Sequence, residues 1–198
     1  IIADLLMSCH PDELELYLVD FKMTEFNKYA GVVPPHVKCV LLDNSEDLLF
    51  DLIDRLTAIL SAREKEFAAR GWSRMEDAPM SVYMPYICVI MDEFAQVAQK
   101  LADTIGMDSR NNYALKLENL LTKGRALGFL FIFASQSFVT GVRGLTETAR
   151  KQIQTRFAMS NTRDEIMETL RITAGQIPAS LDKVISNMPP YETIFKQM

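Results

Sequence analysis

An α/β fold with a mostly parallel sheet and helices on both faces is predicted by three features of the sequence. Short apolar runs rich in β-formers alternate with helical patterns along the whole chain, which is the order of repeated strand–helix units. Two of those runs, Tyr86–Met91 and Gly128–Ser135, are apolar on both faces, as strands buried between two helical layers must be. The first is followed at once by the carboxylates Asp92 and Glu93, at the strand end where open α/β sheets bind ligands.

The elements follow in order. Ile1–Ser8 reads as an apolar helix, broken at Pro11. Leu14–Phe21 is a strand with Asp20 and Lys22 at its end. Gly31–His36 is a loop, and Val37–Leu42 a second short strand. Ser45–Arg70 carries a long i, i+3/i+4 stripe through Leu48, Leu49, Leu52, Ile53, Leu56, Ile59, Leu60 and Phe67, with Ser45 as its cap and Gly71 as its stop. After a polar loop, Trp72–Met84, come the strand Tyr86–Met91 and a helix from Phe94 to Thr104. A loop, Gly106–Asn112, leads to a helix over Tyr113–Leu127 and the apolar strand Gly128–Ser135. Glu147–Gln154 is helical and Thr155–Ser160 a further strand. Asp164–Arg171 and Pro178–Met188 are helices, and Tyr191–Lys196 an edge strand. There is no internal repeat.

At 198 residues with 48% hydrophobic and 24% charged side chains, the chain can build one sizeable domain, residues 1–198. No window is long and apolar enough for a membrane span, and the N-terminus lacks the basic region and cleavage site of a signal peptide. Cys9, Cys39 and Cys88 are spaced like buried reduced thiols, not a disulfide frame or zinc site. His10 and His36 stand beside prolines and are given no role. A net charge of −5 argues against a broad nucleic-acid-coating face, though basic loops lining a channel act through the local field alone.

An acid pair at a strand end suits nucleoside-triphosphate hydrolysis: the first acid holds Mg²⁺, and the second polarises the attacking water. The competing reading is a solvated acidic pair after a core strand.

Five ordered blocks then resemble one family. Pro85–Ala95, PYICVIMDEFA, is similar to the Walker B strand of the FtsK/SpoIIIE-type motor ATPases. Asp20–His36, Arg63–Asp77, Lys123–Gln136 and Thr155–Leu170 resemble further blocks of that family, in the same order. The resemblance implies a three-layer RecA-like P-loop NTPase fold, ATP and Mg²⁺ as ligands, and a homo-oligomeric, hexameric ring. It also implies a bacterial, cytoplasmic domain, with any membrane anchor outside these residues. The glycine-rich loop GxxxxGK[ST] does not occur here, and Ile1–Ser8 matches the helix that follows it. The expectation is therefore a domain whose N-terminal P-loop is missing, inactive as this fragment alone. Residues 171–198 depart from the family pattern.

Carried over residue by residue, the resemblance makes Asp92 the Mg²⁺ residue, acting through water, and Glu93 the base. Gln136 becomes the γ-phosphate sensor, with a plain strand-end polar residue as the alternative. Arg125 and Arg156 match family arginines that could act as fingers toward a neighbour's nucleotide; ordinary sheet-edge or surface arginines read equally well. Asp20 and Lys22 pair with one another or support the site. Arg110 and Arg143, on glycine-containing loops, would contact nucleic-acid phosphates in a ring channel; solvated loop arginines are the plainer reading. The implied activity is ATP-driven translocation of double-stranded DNA, in chromosome segregation or conjugative transfer. A type VII secretion ATPase exporting protein is the alternative, ranked second because its D-(Y/F)-K-G-G segment is replaced by Asp20-Phe21-Lys22-Met23-Thr24. A degenerate ATPase module kept for assembly is the third.

Overall fold

The computed structural model describes residues 1–79, 81–136, 145–159, 162–172, 179–186, 188–189 and 193–197. Four strands, β1 (Leu14–Asp20), β2 (Val37–Leu41), β3 (Tyr86–Asp92) and β4 (Phe129–Phe133), form a sheet in the order β2-β1-β3-β4, with every pair parallel. Side chains alternate across a strand, and both faces of this sheet are covered. Tyr17, Val19, Ile87, Val89, Met91 and Phe129 pack on one side under α3 (Glu46–Arg70), α4 (Phe94–Ala102) and α5 (Tyr113–Gly124). Leu16, Leu18, Cys88 and Ile90 face the other side, where Ile2, Leu5 and Leu6 of α1 (Ile2–Ser8) and Phe26 cover them. The result is the three-layer α/β arrangement expected from the apolar runs. A four-residue helix, α2 (Lys28–Gly31), lies within the segment that precedes β2, where no helix was expected.

The long helix α3 ends as its sequence predicts: Gly71 takes φ 71°, and the Trp72 N–H returns to the Phe67 carbonyl. Ser45 occupies the N-cap position with extended backbone, but its hydroxyl makes no capping bond. All three cysteines are free, and burial pushes the Cys88 thiol up to about 11.

One expectation changes. The late strands do not extend the parallel sheet: β5 (Thr155–Met159) and β6 (Thr193–Gln197) pair antiparallel with one another as a separate two-stranded sheet. Their neighbours are α6 (Glu147–Gln152), α7 (Arg163–Leu170) and α8 (Ala179–Ser186). Ala158, Ile166, Leu170 and Ile185 form a small core of their own beneath this pair. The pattern of β5 shows why. Arg156 and Ala158 are buried while Thr155, Phe157 and Met159 are exposed, so only one face of β5 is covered, whereas β1 and β3 are buried on both.

Candidate functional site

The C-terminal edge of the parallel sheet gathers the acidic residues. Asp20 and Asp92 are register partners at the ends of β1 and β3. Beyond β3, the Ala134 N–H donates to the Met91 carbonyl and the Phe94 N–H to the Ala134 carbonyl. These two bonds carry the β3–β4 pairing past the strand ends and hold Ser135 and Gln136 beside Glu93. Glu93 itself is only 8% exposed and takes φ 46°, ψ 56°, a left-handed conformation that costs a non-glycine residue about 1 kcal/mol or more.

Three donors hold the Glu93 carboxylate and three backbone N–H groups hold that of Asp20. The Ser135 hydroxyl donates to Glu93 Oε1 at 3.1 Å and the Gln136 N–H to the same oxygen at 3.4 Å. The Lys22 ammonium donates to Glu93 Oε2 in a short ion pair. Lys22 is delivered by a turn that Asp20 organises: Asp20 Oδ1 accepts the Lys22 N–H at 3.0 Å, and Oδ2 accepts those of Glu25 at 2.8 Å and Phe26 at 3.0 Å. Asp20 is wholly buried, and Met23, inside the turn, takes φ 56°. The Asp20 carboxylate is thus occupied by backbone, and Lys22 reaches past it to Glu93 instead of pairing with it.

The three carboxyls are tuned differently. Burial raises the Asp20 carboxyl, but the N–H groups of Phe26, Glu25, Lys22 and Met23 outweigh it and hold it below the ordinary range. Burial likewise raises Glu93, and the Lys22 ammonium, the Gln136 N–H and the Ser135 hydroxyl bring it down below its usual value. Asp92 moves the other way. Burial, then the charges of Asp20, Glu93 and Glu25, push it up against the single Glu93 N–H that favours its ionised form. Among the described residues no cationic side chain pairs with Asp92. A cleft of about 510 Å³ opens here, lined by Lys22, Glu25, Asp92, Glu93, Ser135 and Gln136 and, on its apolar side, by Ile1, Ile90 and Ile132.

Of the residues singled out in the sequence, Asp92, Glu93 and Gln136 therefore meet at one edge. The arginines do not join them. Arg125 precedes β4, at the opposite edge of the sheet, where it is exposed and donates to Gln154 Oε1 at 3.1 Å. Arg156 is 5% exposed, with its guanidinium spent on the carbonyls of Ile153, Thr169 and Arg150 at 2.9–3.0 Å. That is an internal clamp between β5 and its neighbouring helices, and it offers no free fork to a second subunit. Arg110 sits on an exposed turn whose N–H groups Asp108 holds. Arg143 lies outside the described residues. Ser135 and the Lys22–Glu93 bond were not anticipated. An aspartate closing a strand two residues before a lysine is the signature of a side-chain-held turn, and it was the available signal for where Lys22 points.

The domain is thus a three-layer α/β fold with a four-strand parallel sheet and an acid pair at its carboxyl edge. Residues 1–83 match the model of the FtsK/SpoIIIE family. That match takes in α1 to α3 with strands β1 and β2. The fold is similar to the cytoplasmic domain of the Thermomonospora curvata type VII secretion ATPase EccC (TM-score 0.71, 21% identity, covering 100% of this chain and 22% of that one). It is also similar to the pCW3 conjugation coupling protein TcpA with ATPγS (TM-score 0.66, 18% identity, 94% and 50% covered). By sequence, DNA translocase FtsK of Listeria monocytogenes is 25% identical over 158 residues, 72% of this chain and 19% of that protein. ESX-1 secretion system protein EccCa1 of Mycobacterium tuberculosis is 27% identical over 162 residues, 71% and 20% covered. The chain thus spans about a fifth of the length of these curated relatives.

Proposed function

We propose that residues 1–198 are one ATPase domain, with 171–198 a divergent tail, in a ring-forming bacterial motor that couples ATP hydrolysis to movement along double-stranded DNA. The observation that carries the chemistry is the contrast at the end of β3: among the described residues no side-chain cation pairs with Asp92, while Glu93 beside it is held from three sides. A hydrated Mg²⁺ fits Asp92. The ion needs only one or two carboxylates with water completing its shell. A divalent charge here would relieve the repulsion that Asp20, Glu93 and Glu25 impose. Among the described residues no cluster of three or more potential ligands forms, in keeping with an ion that retains most of its water. When bound with ATP, Mg²⁺ would neutralise charge on the transferring phosphoryl group. Asp92 would orient the ion's water shell, and Glu93 would accept a proton from the attacking water. Gln136, whose N–H already touches Glu93, would report the γ-phosphate to β4 and the helices beyond.

In the full-length protein, Glu93→Gln should lower kcat for ATP by about a hundredfold or more, the range a positioned general base contributes. KM should change little. Full turnover in that variant would refute the assignment. Stimulation of wild-type turnover by linear double-stranded DNA supports the DNA reading.

A type VII secretion motor is the second reading, and one observation favours it. Met23 takes φ 56°, the conformation that glycine adopts freely. The missing glycine of that branch's D-(Y/F)-K-G-G segment therefore does not mean a different turn. Turnover indifferent to DNA but raised by an exported protein would select this reading. No helix among the described residues is long and apolar enough to cross a membrane.

A further inference from the structure

We propose that Lys22 is a latch on Glu93: in the nucleotide-free domain its ammonium holds the base in a resting pose, and turnover requires that bond to part. The inference rests on the reading of Glu93 as the base.

A carboxylate acts as a base through a free lone pair aimed at the water. Three of the four acceptor sites of Glu93 are taken, and the remaining lone pair on Oε2 shares its oxygen with the Lys22 ammonium, which lowers its basicity. Oε2 is bound to Lys22, and Oε1 accepts from both Ser135 and Gln136. Its backbone is left-handed, and its side chain is all but covered. This is a secured group.

The three restraints differ in how readily each can yield. Ser135 and Gln136 directly follow Ala134, whose N–H and carbonyl bond Met91 and Phe94 at the end of the sheet. Lys22 comes from outside the sheet ladder. Its ammonium is tethered by a flexible four-carbon stem, its side chain is 34% exposed, and it lines the same cleft as Asp92. A polyphosphate entering that cleft presents a denser negative charge than one carboxylate and competes directly for the ammonium. The same side chain would then bind the anion and free Oε2, so arrival of the nucleotide would arm the base.

The turn that bears Lys22 gives the latch a handle. Residues Asp20 to Phe26 are tied to one buried carboxylate, with Met23, Thr24 and Glu25 exposed around it. A partner pressing on this turn would move Lys22 without disturbing β3 or β4. The same bond would thereby link the nucleotide site to an exposed surface.

The test uses the full-length protein with Lys22→Met, Lys22→Arg, Glu93→Gln and the Lys22→Met/Glu93→Gln double variant. Unstimulated ATP turnover is the first readout. Lys22→Met should raise kcat about five- to tenfold, the factor one charge-assisted hydrogen bond at a partly exposed site is worth. KM for ATP should rise with it, because the ammonium also serves the phosphates. Lys22→Arg, which keeps the charge, should pull kcat back toward wild type. A lower or unaltered kcat in Lys22→Met overturns the latch, and a simple structural role for Lys22 predicts that fall. The second readout is the urea midpoint of the nucleotide-free protein across the four variants. Non-additive single and double losses show the two side chains coupled at rest; strictly additive losses overturn the proposal. If Glu93→Gln leaves turnover intact, the reading of Glu93 as base fails and the latch falls with it. If Glu93→Gln abolishes turnover while Lys22→Met does not raise it, only the latch fails.

Discussion

Replacing Arg63 with methionine is expected to cost about 3 kcal/mol, because this one side chain clamps the starts of the neighbouring strands β3 and β4. It leaves α3 and is 7% exposed. Nη1 donates to the Leu127 carbonyl at 2.6 Å and Nη2 to the Pro85 carbonyl at 2.5 Å, while the guanidinium lies 5.3 Å from the centre of the Phe129 ring. Pro85 immediately precedes β3 and Leu127 lies just ahead of β4. Burial holds the guanidinium below its ordinary pKa, with the charges of Glu15 and Tyr17 acting the other way. Methionine retains most of the apolar stem, so packing is largely kept. What goes is two charge-assisted bonds, each worth about 1.5–3 kcal/mol, and two carbonyls are left without a donor. Relief of the buried charge returns part of that sum, which leaves about 3 kcal/mol. At this chain length that corresponds to a fall in Tm of roughly 6–12 °C. Urea melts of the wild type and Arg63→Met, compared at a common m-value, give the number. A loss below about 1 kcal/mol would show that the carbonyls find other donors and that the clamp is not what aligns β3 with β4.

Gly128→Ala should also destabilise, by about 2 kcal/mol: glycine there takes φ 81°, and an added Cβ would lie 2.9 Å from Arg63 Nη1 and 3.0 Å from Met75 Sδ. Combined with Arg63→Met its cost should shrink, since the clashing nitrogen is gone, and a double-mutant cycle on urea midpoints checks this. Asp20 sets an acid-side prediction. Its folded pKa is depressed, so its contribution is complete above the unfolded value of about 3.9 and is lost as pH falls through the folded one. Melts across pH 2–6 should show that slope in the wild type and a flatter one in Asp20→Asn; equal slopes would mean that the turn does not depend on the charge.

The parallel sheet and its long helix were legible because burial on two faces writes itself into composition. Tyr86–Met91 reads as a doubly covered strand, and of the α3 stripe Leu49, Leu52, Ile53, Leu56, Leu60 and Phe67 are buried, while Leu48 is exposed and Ile59 half-buried. Where Thr155–Met159 would pair was not legible. A strand covered on one face can join any sheet edge, and that choice is made by contacts with Ile166, Leu170 and Ile185, distant in sequence. At the site, Asp92 and Glu93 announced themselves by position, and Gln136 by its place after β4. Arg156 reads two ways in sequence because a guanidinium looks the same whether it reaches a neighbour or binds its own chain; here it binds the carbonyls of Arg150, Ile153 and Thr169. Lys22 was visible near the site, but its partner depends on Asp20 being consumed by the N–H groups of its own turn.

That last dependence separates the two neighbouring acids. Asp92 and Glu93 are chemically similar, adjacent in the chain and close to the same surface, yet their surroundings push their carboxyls in opposite directions. The cause is how the left-handed turn at Glu93 divides the donors. Turning the backbone at Glu93 aims its side chain between Lys22 and the Ser135–Gln136 end of β4, while Asp92, still in the strand, stays in register with the buried Asp20. One carboxylate therefore collects the available hydrogen-bond donors and the other collects the repulsion. Two opposite environments in one dipeptide thus follow from a single non-glycine residue at φ 46°. A regular strand conformation at Glu93 would point its side chain to the opposite face from Asp92 and away from these donors, and the contrast on which the proposed roles rest would be lost.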